Sequence, residues 1–347
     1  AARLESRFET GRTNLIRNAV RLNESIELLN GTTRQRILAE KRLKEAGEYA
    51  VPALLHTLQN SNDSHTARTV REMLVTIKRD AVLPLSVALP HLSTSSKILI
   101  AKTLGDIGYQ HAAPALIARM QDGEESPAVR HAVAQALSRI GVDHESNLSL
   151  INAVVANQFF DGHQSVIPQP VGGTNLFWKW DTQEQLVPLD VPEEVFAEVM
   201  AMYFASEALA LNPDNENAMS VFVAANLKRD RELRGQHDYV YGDLPHSPEF
   251  YATVFGPNVA QLVLSSALSR GDTTLALEAI SALSETAGAE SLLSGEKPLM
   301  TAMYYPDRRV QYEAALTLAS TLPTSSFTGS YRVVPLLASA VRSGGEL

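Results

Sequence analysis

Apolar residues recur along most of this chain at steps of three and four, the period of a helix with one buried face. Leu15, Ala19, Leu22, Ile26 and Leu29 form the first stripe, within a stretch from Leu4 to Leu29 that predicts a helix or a helix pair. Asn30-Gly31 ends it, and Thr32 or Thr33 can cap the next helix, which runs to Ala46-Gly47. Hairpins of two helices then follow in series: Tyr49–Gln59 with His65–Arg79, Val82–Leu92 with Ser95–Ile107, and Ala112–Met120 with Ala128–Ile140. The grammar returns near the other end as Val259–Leu268 with Thr273–Thr286, then Leu292–Tyr304 with Arg308–Leu322. A last first-type helix, Val333–Ala338, is followed by Ser343-Gly344-Gly345 and no second helix, so it either caps the array or opens a hairpin that continues in a longer protein.

These hairpins share one phrase. Pro52, Pro84 and Pro114 stand 32 and 30 positions apart, each in a first turn, where the missing N–H costs nothing. Leu104-Gly105-Asp106-Ile107-Gly108 and Leu137-Ser138-Arg139-Ile140-Gly141 end second helices 33 positions apart. A fixed period in this range marks stacked helical hairpins, each too small to bury its own apolar face. The expected fold is therefore all-α, a right-handed α-α superhelix.

The middle breaks the pattern. Phe159 to Pro192 holds four prolines, the pair Gly172-Gly173 and no helical period, which predicts a long irregular excursion. Helices are expected again over Glu193–Leu211 and Ala218–Leu227, followed by a second irregular piece from Gly235 to Glu249. The expected division is 1–150 for the N-terminal helices and repeats, 151–258 for the insertion with its helix pair, and 259–347 for the C-terminal repeats.

Composition narrows the function classes. Apolar residues make up 45% and aromatics only 6%, which favours closely packed helices over a β-sandwich. No run is long and apolar enough for a membrane span, and Ala1 to Asn30 lacks the apolar core of a signal peptide. Because the chain starts at Ala-Ala-Arg without a methionine, a removed leader stays open; the cytoplasm is the default expectation and export the alternative. Zero cysteines exclude disulfides and thiolate chemistry. Residues 148–260 hold 5 basic against 15 acidic side chains, and such an acidic centre repels phosphate backbones. Residues 1–80 are richer in arginine, but interspersed signs read better as solvated helix faces than as a polyanion track.

The repeats resemble the HEAT-repeat family, including its phycobilisome-lyase-type branch. The likeness rests on the proline-bearing first helices (Pro52, Pro84, Pro114, Pro335) and on Ala128–Gly141, which reads Ala-Val-Arg-x-Ala-Val-x-x-Ala-Leu-x-x-Ile-Gly, with a further match at Arg309–Leu316. It covers roughly residues 33–147 and 259–342. Tyr203 to Asn215 is similar to the second helix and turn of a tetratricopeptide repeat. Both resemblances imply a protein-interaction scaffold binding another protein or peptide.

Candidate chemistry is sparse. His163 near Asp161, and His237 with Asp238, Asp243 and His246, are the only clusters resembling metal ligands, and such loop residues more often cap turns. No Gly-x-Ser-x-Gly, His-Glu-x-x-His or Walker lysine occurs, so no catalytic residue, metal or cofactor is expected. Both tryptophans fall in Asn175-Leu176-Phe177-Trp178-Lys179-Trp180-Asp181. They read either as an anchor for a partner or as an apolar plug that tacks the insertion to the helices. The plug is favoured, since an exposed Phe-Trp-x-Trp invites aggregation. Phe177, Trp178, Trp180, Tyr239 and Tyr241 are the candidate partner-binding residues of a non-enzymatic interaction module. The rivals are a lyase-like enzyme or ligand binder using the central aromatics, and a nucleic-acid binder using the N-terminal arginines.

Overall fold

A computed structural model of the chain describes residues 10–61, 63–242, 244–293 and 297–342. Its contacts group the chain into two compact units, Ala1–Met200 and Ala201–Leu347. The chain has an all-α helical-repeat fold of the solenoid class.

The first unit begins with α1 (residues 10–16) and α2 (Ala19–Leu28). They part at Asn18, whose side chain accepts the Arg21 backbone N–H at 2.9 Å; the segment Leu4 to Glu9 of the expected opening helix lies outside the described residues. After α3 (Thr33–Ala46) come three hairpins: α4 (Val51–Asn60) with α5 (Ser64–Ile77), α6 (Val82–Ala88) with α7 (Thr94–Ile107), and α8 (Ala113–Gln121) with α9 (Pro127–Ile140). Side chains of Asp63, Ser93 and Ser126 accept backbone N–H groups at the starts of α5, α7 and α9, while Gly108 and Gly141 end α7 and α9 in the left-handed region. Leu54, Leu74, Leu85, Ile100, Leu104, Leu116 and Ile117 are fully buried between them. A Cβ on Gly105 would stand 2.8 Å from the Ala136 Cα, so only glycine lets α7 and α9 cross this closely.

The first helix of each of these hairpins is entered through a 3-10 turn that the apolar period does not reveal: Gly47–Ala50, Lys78–Ala81 and Gln110–Ala112. Each turn ends on an alanine with no exposure: Ala50, Ala81 and Ala112. Gly47 (φ 53°, ψ −127°) and Lys78 (φ 62°, ψ −129°) place the first two turns with the same backbone conformation, whereas Gly108 (φ 84°, ψ 13°) leads into the third. The expected helix Val82–Leu92 is shorter, because Pro90 turns its end into a 3-10 segment, Leu89–His91.

α10 (Leu148–Phe160) leads into the excursion, and here the sequence-based expectation fails. The stretch expected to be irregular contains an antiparallel hairpin, β1 (Thr174–Asp181) and β2 (Gln185–Pro192), with Trp178 opposite Pro188 and Thr174 opposite Pro192. Each strand of a two-stranded ribbon keeps one free edge, so its prolines remove no ladder bond that must be made. Asp181 Oδ1 closes the turn by accepting N–H groups from Gln183 (2.7 Å) and Glu184 (2.9 Å). Both strands pack against α6. The division between the units falls within α11 (Glu193–Leu211).

The second unit continues with α12 (Glu216–Leu233), α13 (Pro248–Val254), α14 (Gly256–Arg270) and α15 (Thr273–Thr286). α16 (Ala289–Leu293), α17 (Pro298–Ala302), α18 (Arg308–Ser320) and α19 (Val333–Arg342) complete it. The expected single helix Leu292–Tyr304 is broken: Lys297 is extended and Pro298 starts a new helix. α19 is likewise entered through a 3-10 turn, Ser330–Arg332; the Ser343-Gly344-Gly345 stop lies outside the described residues.

Candidate functional site

In the first unit the excursion runs along the 3-10 turns. Residues 161–173 form an irregular strap of turns and bends leading from α10 into β1. Arg79, in the second turn, donates to the Gln164 carbonyl. Asp80, its neighbour, accepts the Gln169 backbone N–H at 3.4 Å. Glu48, in the first turn, accepts the Leu176 backbone N–H at 3.2 Å and the Trp178 indole N–H at 3.0 Å. Polar side chains at successive turns thus hold successive stretches of one non-helical segment.

Glu48 is buried, and losing water pushes its carboxyl up to about 8; the Trp178 hydrogen bond and, less, the Leu176 N–H and Arg17 resist, while the nearby Asp80 charge adds to the rise. Burial also raises Asp80 above the usual carboxylate range, against the neighbouring Arg79. Arg17 ties down the far end of the hairpin. It donates to Thr174 Oγ1 (2.7 Å), Val171 O (3.3 Å) and Asp190 (3.2 Å), and its guanidinium lies 4.9 Å from the centre of the Tyr49 ring. Burial pushes the Tyr49 hydroxyl up to about 12.

The candidate aromatics therefore separate. Phe177 and Trp178 are buried, Trp178 with only 5% of its surface exposed. Trp180 is half-buried and stacks on His91, ring centres 4.7 Å apart at 7°. Burial, helped by Arg119 and Lys97, holds His91 below the ordinary histidine range. Lys179, between the two indoles, is exposed.

Tyr239 and Tyr241 belong to the second unit. Tyr241 is half-buried, its ring 5.4 Å from the guanidinium of Arg229. Arg229 is itself buried, paired with Asp238 and bonded to Asn226 Oδ1 at 3.1 Å. Asp238 Oδ1 in turn accepts the Val240 (2.7 Å) and Tyr241 (3.0 Å) N–H groups, so the loop is wound around one ion pair. Burial pushes the Tyr241 hydroxyl far above its ordinary value. Tyr239, by contrast, is 68% exposed, and meets His237 edge-on at 4.9 Å. Nearby in sequence, His246 stacks on the exposed Phe250 at 4.1 Å.

Three further features were not visible as sites in the sequence. Glu48 reads there as an ordinary helix-terminal charge. Asp80 reads as part of a solvated run. His111 is one histidine among apolar neighbours, yet it lines a cleft of about 270 Å³ with Tyr109, Gln110, Ile140, Gln158 and Ser165. As for metals, His163 Nε2 is 4.0 Å from Asp161, and Asp243 lies outside the described residues. Among the described residues no group of three His, Asp or Glu side chains could hold an ion, and no helix is long and apolar enough to cross a membrane.

Compared with known families, residues 83–156 match the model for HEAT repeats, a span from α6 through α9 into α10. A search of curated proteins gave no match. The repeating proline-bearing hairpins, the buried stripe they share and this match agree: the stretch 83–156 of this helical-repeat chain is similar to HEAT repeats.

Proposed function

We propose that this chain is a non-enzymatic protein-interaction module, a scaffold that binds another protein or peptide. The observation that carries this reading is the way the first unit handles its own strap. Side chains of consecutive 3-10 turns grip the strap and the start of β1 through backbone groups, at Gln164, Gln169 and Leu176, and so would accept a variety of sequences. HEAT repeats are a recurrent scaffold for such contacts, and stacked hairpins supply long binding surfaces. The tetratricopeptide-like helix and turn at Tyr203 to Asn215 belongs to the same functional class. The likeness to lyase-type HEAT proteins supplies the competing proposal, a pigment-handling enzyme.

Of the five candidate residues, Tyr239 has the exposure an interface anchor needs; Trp178 is already spent inside the first unit. The test is affinity capture from the native extract, followed by titration of the captured protein against wild type and Tyr239→Ala. A saturable complex weakened about tenfold or more by Tyr239→Ala, at unchanged melting temperature, supports the reading and that site. A purified chain that carries a bound pigment or turns over a substrate, with no saturable protein partner, overturns it.

A further inference from the structure

The 3-10 turns of the first unit align on their fully buried alanines, Ala50, Ala81 and Ala112. The residue just before that alanine is Tyr49, Asp80 and His111 respectively. Asp80 uses this position to hold the Gln169 backbone N–H of the strap. His111 holds the same position one repeat further on. It is 2% exposed, and neither ring nitrogen has a hydrogen-bond partner among the described residues. Buried polar atoms are nearly always paired, so such a ring calls for an explanation. Both nitrogens are out of reach of solvent as the ring stands, and the cleft it lines supplies the space once the side chain turns toward it.

We propose that the His111 cleft binds an amide group of an extended polypeptide contributed by a partner protein, extending to the third turn the grip that Asp80 has on the chain's own strap. The inference rests on the interaction-module reading above and names a subsite for it. Burial, with the Arg79 charge adding to it, pushes the His111 pKa down to about 3, so the ring is neutral near pH 7. A neutral imidazole offers one N–H donor and one lone pair on diverging sides of the ring, and either can meet an amide, the donor its C=O or the lone pair its N–H. It brings no charge with which to pair a phosphate or a carboxylate. The walls fit the same chemistry, since Gln110, Gln158 and Ser165 are polar and uncharged. At about 270 Å³ the cleft is smaller than the ~300–1,000 Å³ typical of drug-sized ligands and cofactors, which suits one side chain or a short length of backbone. Ser165 and Val166, from the strap, form one wall, so an incoming segment would lie beside the chain's own.

The decisive measurement follows the His111 ring nitrogens by NMR in the full chain during titration with N-acetylglutamine N-methylamide, with an ester of similar size as the control. The expected result is a saturable shift of both ring signals with the amide and none with the ester, lost in Ser165→Trp, which fills the cleft from its exposed rim. Ring signals that stay still, as water alone would leave them, overturn the inference; so do signals that move equally in Ser165→Trp. With a captured partner in hand, His111→Phe should weaken binding on the order of tenfold, the worth of one hydrogen bond. A partner bound by His111→Phe at full affinity sinks the cleft and leaves the interaction reading standing. Failure to capture any partner sinks that reading, while the ring titration still decides what the cleft binds.

Discussion

The Glu48–Asp80 seat and the His111 cleft are built from the same repeated turn and have opposite outcomes. At the first two turns a carboxyl group, buried at Glu48 and half-buried at Asp80, meets N–H donors from the chain's own insertion: Trp178 and Leu176 on Glu48, Gln169 on Asp80. At the third turn a buried imidazole meets none among the described residues. The difference lies in which part of the insertion passes each turn. A repeat module thus supplies a row of similar polar seats, and a non-repeating segment decides which of them are filled from within.

The largest test of that contrast is Trp178→Ala. It removes a buried indole and leaves the Glu48 carboxyl without its stronger hydrogen bond, so a loss of about 3–5 kcal/mol is expected in denaturant titration. Hydrogen exchange should speed up across Thr174–Pro192 while α14 and α15 keep their protection. A loss below about 1 kcal/mol would mean that the hairpin is not held by this seat.

Next in size is the pH dependence of the two seats, which runs in opposite senses. Glu48 has a folded pKa of about 8 against 4.5 for the free side chain, so between those values the folded state binds the proton better. Its contribution is therefore full below about pH 4.5 and is lost as pH rises to about 8, by at most about 5 kcal/mol. His111, with a folded pKa of about 3 against 6.5, stays neutral while the unfolded chain takes up a proton, so its part is full above pH 6.5 and is lost on acidification toward 3. Stability measured from pH 3 to 9 should lose its decline between about pH 4.5 and 8 in Glu48→Gln and part of its acid decline in His111→Phe. Identical profiles for wild type and both variants would break the comparison.

At neutral pH, His111→Phe should change stability by less than about 1 kcal/mol, or raise it, because it removes buried polar atoms that have no hydrogen bond to lose. Glu48→Ala, by contrast, strands two donors and should cost about 2–4 kcal/mol. The smallest effect is expected at Lys78. Its φ of 62° and ψ of −129° repeat those of Gly47, a conformation that strains a side-chain-bearing residue. Lys78→Gly should add about 1 kcal/mol to stability in thermal unfolding, and a loss would show that the lysine side chain matters more than the strain.

The helices were legible because their signals are local. Leu104 to Gly108 and Ala128 to Gly141 carry stripe and stop within a few residues, and Pro52, Pro84 and Pro114 mark first turns. The hairpin was not legible. Asn175, Leu176, Phe177 and Trp178 are buried in succession, so β1 lacks the alternation of a half-exposed strand, and Pro188 and Pro192 argue against β2. The plug reading of the aromatics matches the burial of Phe177 and Trp178, but nothing beside Glu48 in the sequence points to an indole 130 residues away. His111 was equally silent, since a lone histidine beside Ala112 and Ala113 reads as packing.

By itself, the sequence determined the helical repeat, its period and the non-repeating character of the middle, since caps, prolines and apolar stripes act over one or two turns of chain. Only the tertiary structure decided where the insertion lies, that Glu48 and Asp80 are seats for it, and that His111 is left buried beside an open cleft. Burial and hydrogen-bond partners depend on what folds back against a residue from far along the chain, and no local pattern encodes that.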